Sequence, residues 1–122
     1  MQNLDQIRAD NALMACGQQP VPAGRAPVKP VTDTAVNRLP ALIVNNGLLA
    51  TAAFAEKKGD ELLCAMDAVA WHLADSRVGR LPTNRTTTRG LTEHLIANNS
   101  QALRLAAAEA LNFLTYLKRY AS

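Results

Sequence analysis

Leu39-Pro40-Ala41-Leu42-Ile43-Val44-Asn45-Asn46-Gly47-Leu48-Leu49-Ala50-Thr51-Ala52-Ala53-Phe54 is the longest nearly unbroken apolar run in the chain. A short apolar run can be a buried strand or a buried helix, but this one is long, rich in Ala and Leu, and followed by Lys57-Lys58-Gly59. Two cations over the carboxyl end of a helix dipole and a glycine just past it form a stop signal. Pro40 suits a first helical turn, where a missing N–H costs nothing. The stretch therefore reads as one buried helix opening at Pro40. Asn45, Asn46 and Gly47 are weak helix formers inside it, and Gly there costs about 1 kcal/mol against Ala. The favoured explanation is close approach of a second helix at Gly47, with the amides bonding neighbouring backbone; the alternative is that both amides face a polymeric ligand.

Working outward, Thr32 or Asp33 caps a short helix running to Arg38. Before it, residues 18–30 hold four prolines and read as an extended, loosely held connector. Asn3 to Cys16 forms a first helix, with Leu4, Ile7, Leu13 and Met14 near helical spacing and Gly17 as its stop. On the other side Asp60 caps a helix whose Leu62, Met66, Val69 and Leu73 make one buried face, with Trp71 at its edge. A polar loop, Arg80 to Gly90, leads to a short helix from Leu91 to Ala97. Ser100 caps the last helix, striped by Leu103, Ala107, Ala110, Leu114 and Leu117. No strand pattern and no internal repeat are found. Residues 1–122 read as a single all-α domain, a bundle of five to six helices.

With 122 residues, 48% of them hydrophobic and 19% charged, the chain has enough apolar material for one core and is not compositionally disordered. No uninterrupted apolar span reaches the roughly 18 residues of a membrane helix. The N-terminus lacks the basic-then-apolar pattern of a signal peptide, so a cytoplasmic location is expected. Cys16 and Cys64, far apart and outside any CxxC spacing, fit reduced thiols.

The net charge is only +3, but its distribution is uneven. From Ser76 to Thr92 the chain carries Arg77, Arg80, Arg85 and Arg89 and no acid. Guanidinium groups fork onto phosphates, and hydroxyls add neutral hydrogen bonds, so this segment is either a phosphate-contacting surface or a solvated loop. Lys118 and Arg119 sit where they complement a helix end. Chemistry of other kinds is scarce. His72 and His94 each stand alone, without a second ligand one helical turn away, and read as boundary residues rather than metal ligands. There is no GxxxxGK[ST] loop, GxSxG elbow or GxGxxG turn, and the carboxylates are scattered, so the chain reads as non-catalytic, without metal or cofactor. With aromatics at 4%, recognition by base stacking on a β-sheet platform is not expected.

Two passages resemble a known family, the small all-helical subunit of the type III-B CRISPR effector, the Cmr complex. Leu39-Pro40-Ala41-Leu42-Ile43-Val44-Asn45-Asn46-Gly47-Leu48 followed by Ala53-Phe54 looks like its hallmark L-P-x-L-I-x-x-N-G-L and Ala-Phe. Glu109 to Ala121 is similar to its closing helix, with Tyr116 where that family usually carries Trp. Length and helix order match as well. The resemblance implies a non-catalytic subunit, stacked in several copies along the inner filament beside the backbone subunits and guide RNA, and holding target single-stranded RNA during antiviral defence. It supports RNA contact best at Arg38, Asn45, Asn46, Lys57 and Lys58, which lie in or beside the hallmark stretch. For Arg77, Arg80, Arg85 and Arg89 the case is chemical only. The competing readings are a helical DNA-binding regulator, using the helix after Gly90 in the major groove, and a scaffold subunit that touches protein alone.

Overall fold

A computed structural model describes residues 2–121. Among these the chain forms six helices, α1 (Leu4–Ala15), α2 (Asp33–Asn46), α3 (Leu48–Lys58), α4 (Asp60–Leu73), α5 (Thr88–Ile96) and α6 (Ser100–Tyr120), and no strand. One apolar cluster draws on all six, so the all-α reading holds.

The hallmark stretch is not one helix. α2 starts at Asp33 and runs through Pro40, merging the expected short helix with the first half of the central one. Pro40 removes the donor that Val36 O would receive, a loss worth about 3 kcal/mol in a helix interior. Burial of Val36, Leu39 and Ile43 on one face of α2 offsets it. The helix then breaks at Gly47, at φ 92° and ψ 162°, a conformation open in practice to glycine alone. A Cβ at Gly47 would meet nothing within 4 Å, so the close-approach explanation fails and backbone conformation is the reason for this residue. Gly47 N donates to Ile43 O at 2.8 Å, and Gly47 O accepts from Thr51 N at 3.1 Å and Thr51 Oγ1 at 2.8 Å, so both helix ends are tied at the joint. Splitting the run makes each half amphipathic. Leu48, Thr51, Ala52 and Ala55 point inward, while Val44 (70% exposed) and Phe54 (40%) point out.

The central element is α4. Its buried residues include Leu62, Ala65, Met66, Val69, Trp71, His72 and Leu73, and it touches α1, α2, α3, α5 and α6. A helix apolar around most of its circumference is a core helix. Asp60 does not cap it. The N-cap is Gly59, without a side-chain bond, and Asp60 takes a positive φ of 51°. Asn99 rather than Ser100 caps α6, its side chain accepting from Ala102 N at 2.9 Å. At the other terminus Asn3 and Gln6 form a reciprocal capping box for α1. The connector 18–30 is irregular and held at definite points: Val31 N donates to Ala15 O, and Trp71 Nε1 donates to Ala26 O at 2.8 Å.

Candidate nucleic-acid interface

The nine residues singled out for RNA contact fall into two groups. On α2 and α3, Arg38, Asn45, Asn46, Lys57 and Lys58 are all exposed. Helical spacing places Lys57 and Lys58 three and four residues after Phe54, on its side of α3. Arg38 reaches over from α2, its Cζ 5.9 Å from the Phe54 ring centroid. Arg38 and Lys58 also line one open groove of about 420 Å³, with Thr34, Gly59, Asp60, Glu61 and Leu62. Asn45 and Asn46 end α2 beside Gly47, and among the described residues neither side chain makes a hydrogen bond. Arg38, Lys57 and Lys58 likewise form no ion pair with a described residue.

The arginine segment differs. Arg77 is locked to Asp75: Nη2 to Oδ2 is 2.8 Å, Nε to Oδ1 is 3.1 Å, and the Arg77 backbone N–H donates to Oδ1 at 2.9 Å. It also reaches Asp10 and Gln2. Arg85 Nη1 lies 3.1 Å from Glu93, and Arg89 Nε 3.0 Å from Glu56. Arg80 is exposed and pairs with no described acid. The segment's lack of acids is thus a property of its sequence window. Asp75 and Glu93 stand one residue beyond its two ends, and Glu56 comes from α3. The Arg85 and Arg89 pairs are exposed, worth about 0–1 kcal/mol, and a phosphate could displace either carboxylate at little cost. Arg77 is committed to a nearly buried acid.

That acid belongs to a polar network the sequence reading missed. His72, read as a boundary residue, is fully buried and stacks on Phe113, with centroids 4.0 Å apart and planes 4° apart. Its Nε2 faces Glu109 Oε2 at 2.9 Å and its Nδ1 faces Asn11 Nδ2 at 2.9 Å. An amide N–H can only donate and a carboxylate only accept, so the ring is neutral with its proton on Nε2. The second Asn11 N–H goes to Asp75 at 3.0 Å, while Asn11 Oδ1 accepts from Arg25 at 2.8 Å. Arg8 completes the set with a two-pronged bond to Glu109 at 2.7 and 2.8 Å. Burial lowers the His72 pKa against the pull of Glu109. Burial would raise Glu109, but bonds from Arg8 and His72 prevail and hold its carboxyl at about 2. Asp75 behaves alike: burial opposes ionisation, yet Arg77, Asn11 and Arg25 keep it well below the usual carboxylate range. Arg25 also stacks on Trp71, its Cζ 3.7 Å from the ring. Two signals for the network were present. Glu109 interrupts the buried stripe of Ala106, Ala110 and Phe113, and Asn11 lies among the buried residues of α1.

Elsewhere little chemistry is assembled. Among the described residues no group of three or more His, Cys, Asp or Glu side chains is placed to hold a metal, and no helix is long and apolar enough to cross a membrane. Cys16 and Cys64 are free and half-buried.

The architecture is that of a small all-α protein with a satisfied polar core on one side and an unpaired cationic surface on α2 and α3. A family described as CRISPR-associated protein (Cas_Cmr5) matches residues 26–122, and the chain belongs to it. It is thus a CRISPR-associated subunit of the Cmr type. No curated protein and no solved structure matches the chain.

Proposed function

We propose that this chain is a non-catalytic small subunit of the type III-B effector that grips target single-stranded RNA through its phosphates, in the cytoplasm, while neighbouring subunits hold the guide. The observation that carries this reading is the gathering of Arg38, Lys57 and Lys58, none spent on a described acid, at one end of the α2–α3 pair, with the exposed amides of Asn45 and Asn46 about two helical turns further along α2. Cations on a surface without paired acids favour a polyanion irrespective of its sequence. Arg80 extends the set. Arg85 and Arg89 join by exchanging a carboxylate for a phosphate, and Arg77 contributes least. The exposed apolar side chains Val44 and Ile96 fit contacts with like subunits or with the backbone subunits, and a repeated contact between unlike faces builds an open filament.

A duplex-reading role finds less support. α5 buries Thr88, Gly90, Leu91 and Leu95, and its outer face presents Arg89 and Glu93, each in an ion pair. Binding of a labelled single-stranded RNA to the assembled complex, measured across salt concentrations, tests the proposal. Each lost phosphate contact flattens the log–log salt slope by about 0.7, so Arg38→Ala/Lys57→Ala/Lys58→Ala together flatten it by about 2. Unchanged affinity and slope in that variant would refute it.

A further inference from the structure

Phe54 stands apart from the other large apolar residues on the surface. Val44, Ile96 and Leu105 are aliphatic; Phe54 is the aromatic member of the exposed set, with Arg38 reaching toward its ring and Lys57 and Lys58 one turn further along the same side of α3. An aromatic anchor for a protein partner is ordinarily ringed by contacts that exclude water. A ring bordered by Arg38, Lys57 and Lys58 is instead the combination that single-strand binders use, a flat surface for a base with charges for the flanking phosphates.

The two arginine–aromatic pairs of this protein make the contrast concrete. Arg25 lies 3.7 Å from the Trp71 ring, which is buried, and its guanidinium is hydrogen-bonded to Asn11; that stack is closed. Arg38 lies 5.9 Å from the Phe54 ring, and both side chains are exposed. A base needs about 3.5–4 Å on each face, so a sandwich requires about 7–8 Å between guanidinium and ring. Arg38 must retreat by only 1–2 Å, roughly one rotamer adjustment of a flexible side chain that bonds no described residue. The adjoining groove carries Asp60 and Glu61 as well as Arg38 and Lys58, so the ligand belongs over the ring rather than in the groove.

We infer that Phe54 and Arg38 clamp one unpaired base of the bound RNA, with Lys57 and Lys58 on the adjacent phosphates. This deepens the phosphate-grip reading and rests on it. It adds a base-dependent contact to a backbone-dependent one, without selecting which base.

The test uses the assembled complex with Phe54→Ala, Phe54→Leu and Phe54→Trp, and with RNA carrying a single abasic position moved along the strand. Stacking predicts that Phe54→Ala weakens binding by about fivefold to a hundredfold with an unchanged salt slope, that Phe54→Leu weakens it nearly as much, and that Phe54→Trp retains or tightens it. One abasic position should reproduce the Phe54→Ala loss in the unmodified complex and add nothing to it in the variant. If Phe54→Leu restores full binding, or no abasic position matters, the clamp is wrong. If Phe54→Ala binds normally while the triple Ala variant loses its salt slope, the clamp fails and the phosphate grip survives. If neither responds, both fail.

Discussion

The neutral His72 ring has a thermodynamic consequence that the rest of the chain does not mask. An unfolded histidine titrates near 6.5, and burial lowers His72 in the folded protein. The unfolded state therefore takes up a proton first as pH falls. Stability from this site is complete above about pH 6.5 and declines below it, with a ceiling of about 1.4 kcal/mol per pH unit for one proton. Two features block a compensating uptake. A proton on Nδ1 would meet the Asn11 amide donor, and turning that amide would aim its N–H groups at Arg25. Glu109 and Asp75 have depressed pKa values, so their contributions persist above 4.5 and 3.8 and are lost only as pH falls through their folded values. They leave the window from pH 5 to 7 to His72. Urea unfolding followed by circular dichroism at pH 7, 6 and 5, for the native chain and His72→Gln, isolates the effect. His72→Gln lowers stability at pH 7, because stacking on Phe113 is lost. The pH slopes should nonetheless differ, the native chain losing up to about 1.4 kcal/mol more between pH 6 and 5. Parallel slopes would refute a neutral, proton-excluding His72.

Three further outcomes follow from the geometry. Gly47→Ala should lower stability by about 1–3 kcal/mol in thermal or urea unfolding although no atom obstructs its Cβ, and a loss of only a few tenths would mean that α2 and α3 relax at the joint. Arg8→Ala should cost about 1.5–3 kcal/mol by leaving Glu109 buried with fewer donors, whereas Arg89→Ala, which breaks a 3.0 Å pair on the surface, should cost about 0–1 kcal/mol by the same unfolding assay. Burial pushes the Cys16 thiol up to about 11, so in the folded chain iodoacetamide at pH 8 should label it far more slowly than it labels an unfolded control.

Much of this was legible in the chain, and the exceptions share a cause. Helix type, order and most stops follow from local rules: Gly17, Gly59 and the apolar stripes of α4 and α6 act within a turn or two of themselves. The joint at Gly47 was visible as an anomaly and then misjudged. A glycine in a helical pattern fits both close packing and a break, and only the backbone dihedral separates them. Pro40 misled for the same reason, since a first-turn proline and an interior proline with a buried flanking face look identical in sequence. Charge was harder to read. Arg77 and Arg89 look alike in a linear window, yet one meets a nearly buried Asp75 and the other an exposed pair with Glu56. The acids that decide their roles lie on α3, at the end of α4 and in α1. Phe54 was concealed by its neighbours, because a sixteen-residue apolar run gives no hint of which side chains turn outward once the run is broken.

The network also bears on how the two ends of the chain depend on each other. The family match begins at Ala26, and His72, Asp75 and Glu109 lie within it. Three arginines neutralise those two buried acids: Arg8, Arg25 and Arg77. Two of the three, with the bridging Asn11, lie in the first 25 residues, outside the matched span. Buried acids without their cations are costly by several kcal/mol, so α1 and the connector are electrostatically part of the core they cover rather than an appendage to it. The consequence for function lies in where the positive charge remains. Arg8, Arg25 and Arg77 are consumed in holding the fold, on the side built from α1, α4 and α6. Arg38, Lys57 and Lys58 remain unpaired among the described residues, on the side built from α2 and α3. A net charge as small as +3 is therefore compatible with a local cationic surface, because Arg38, Lys57 and Lys58 form no ion pair with a described residue although Asp60 and Glu61 line the adjoining groove.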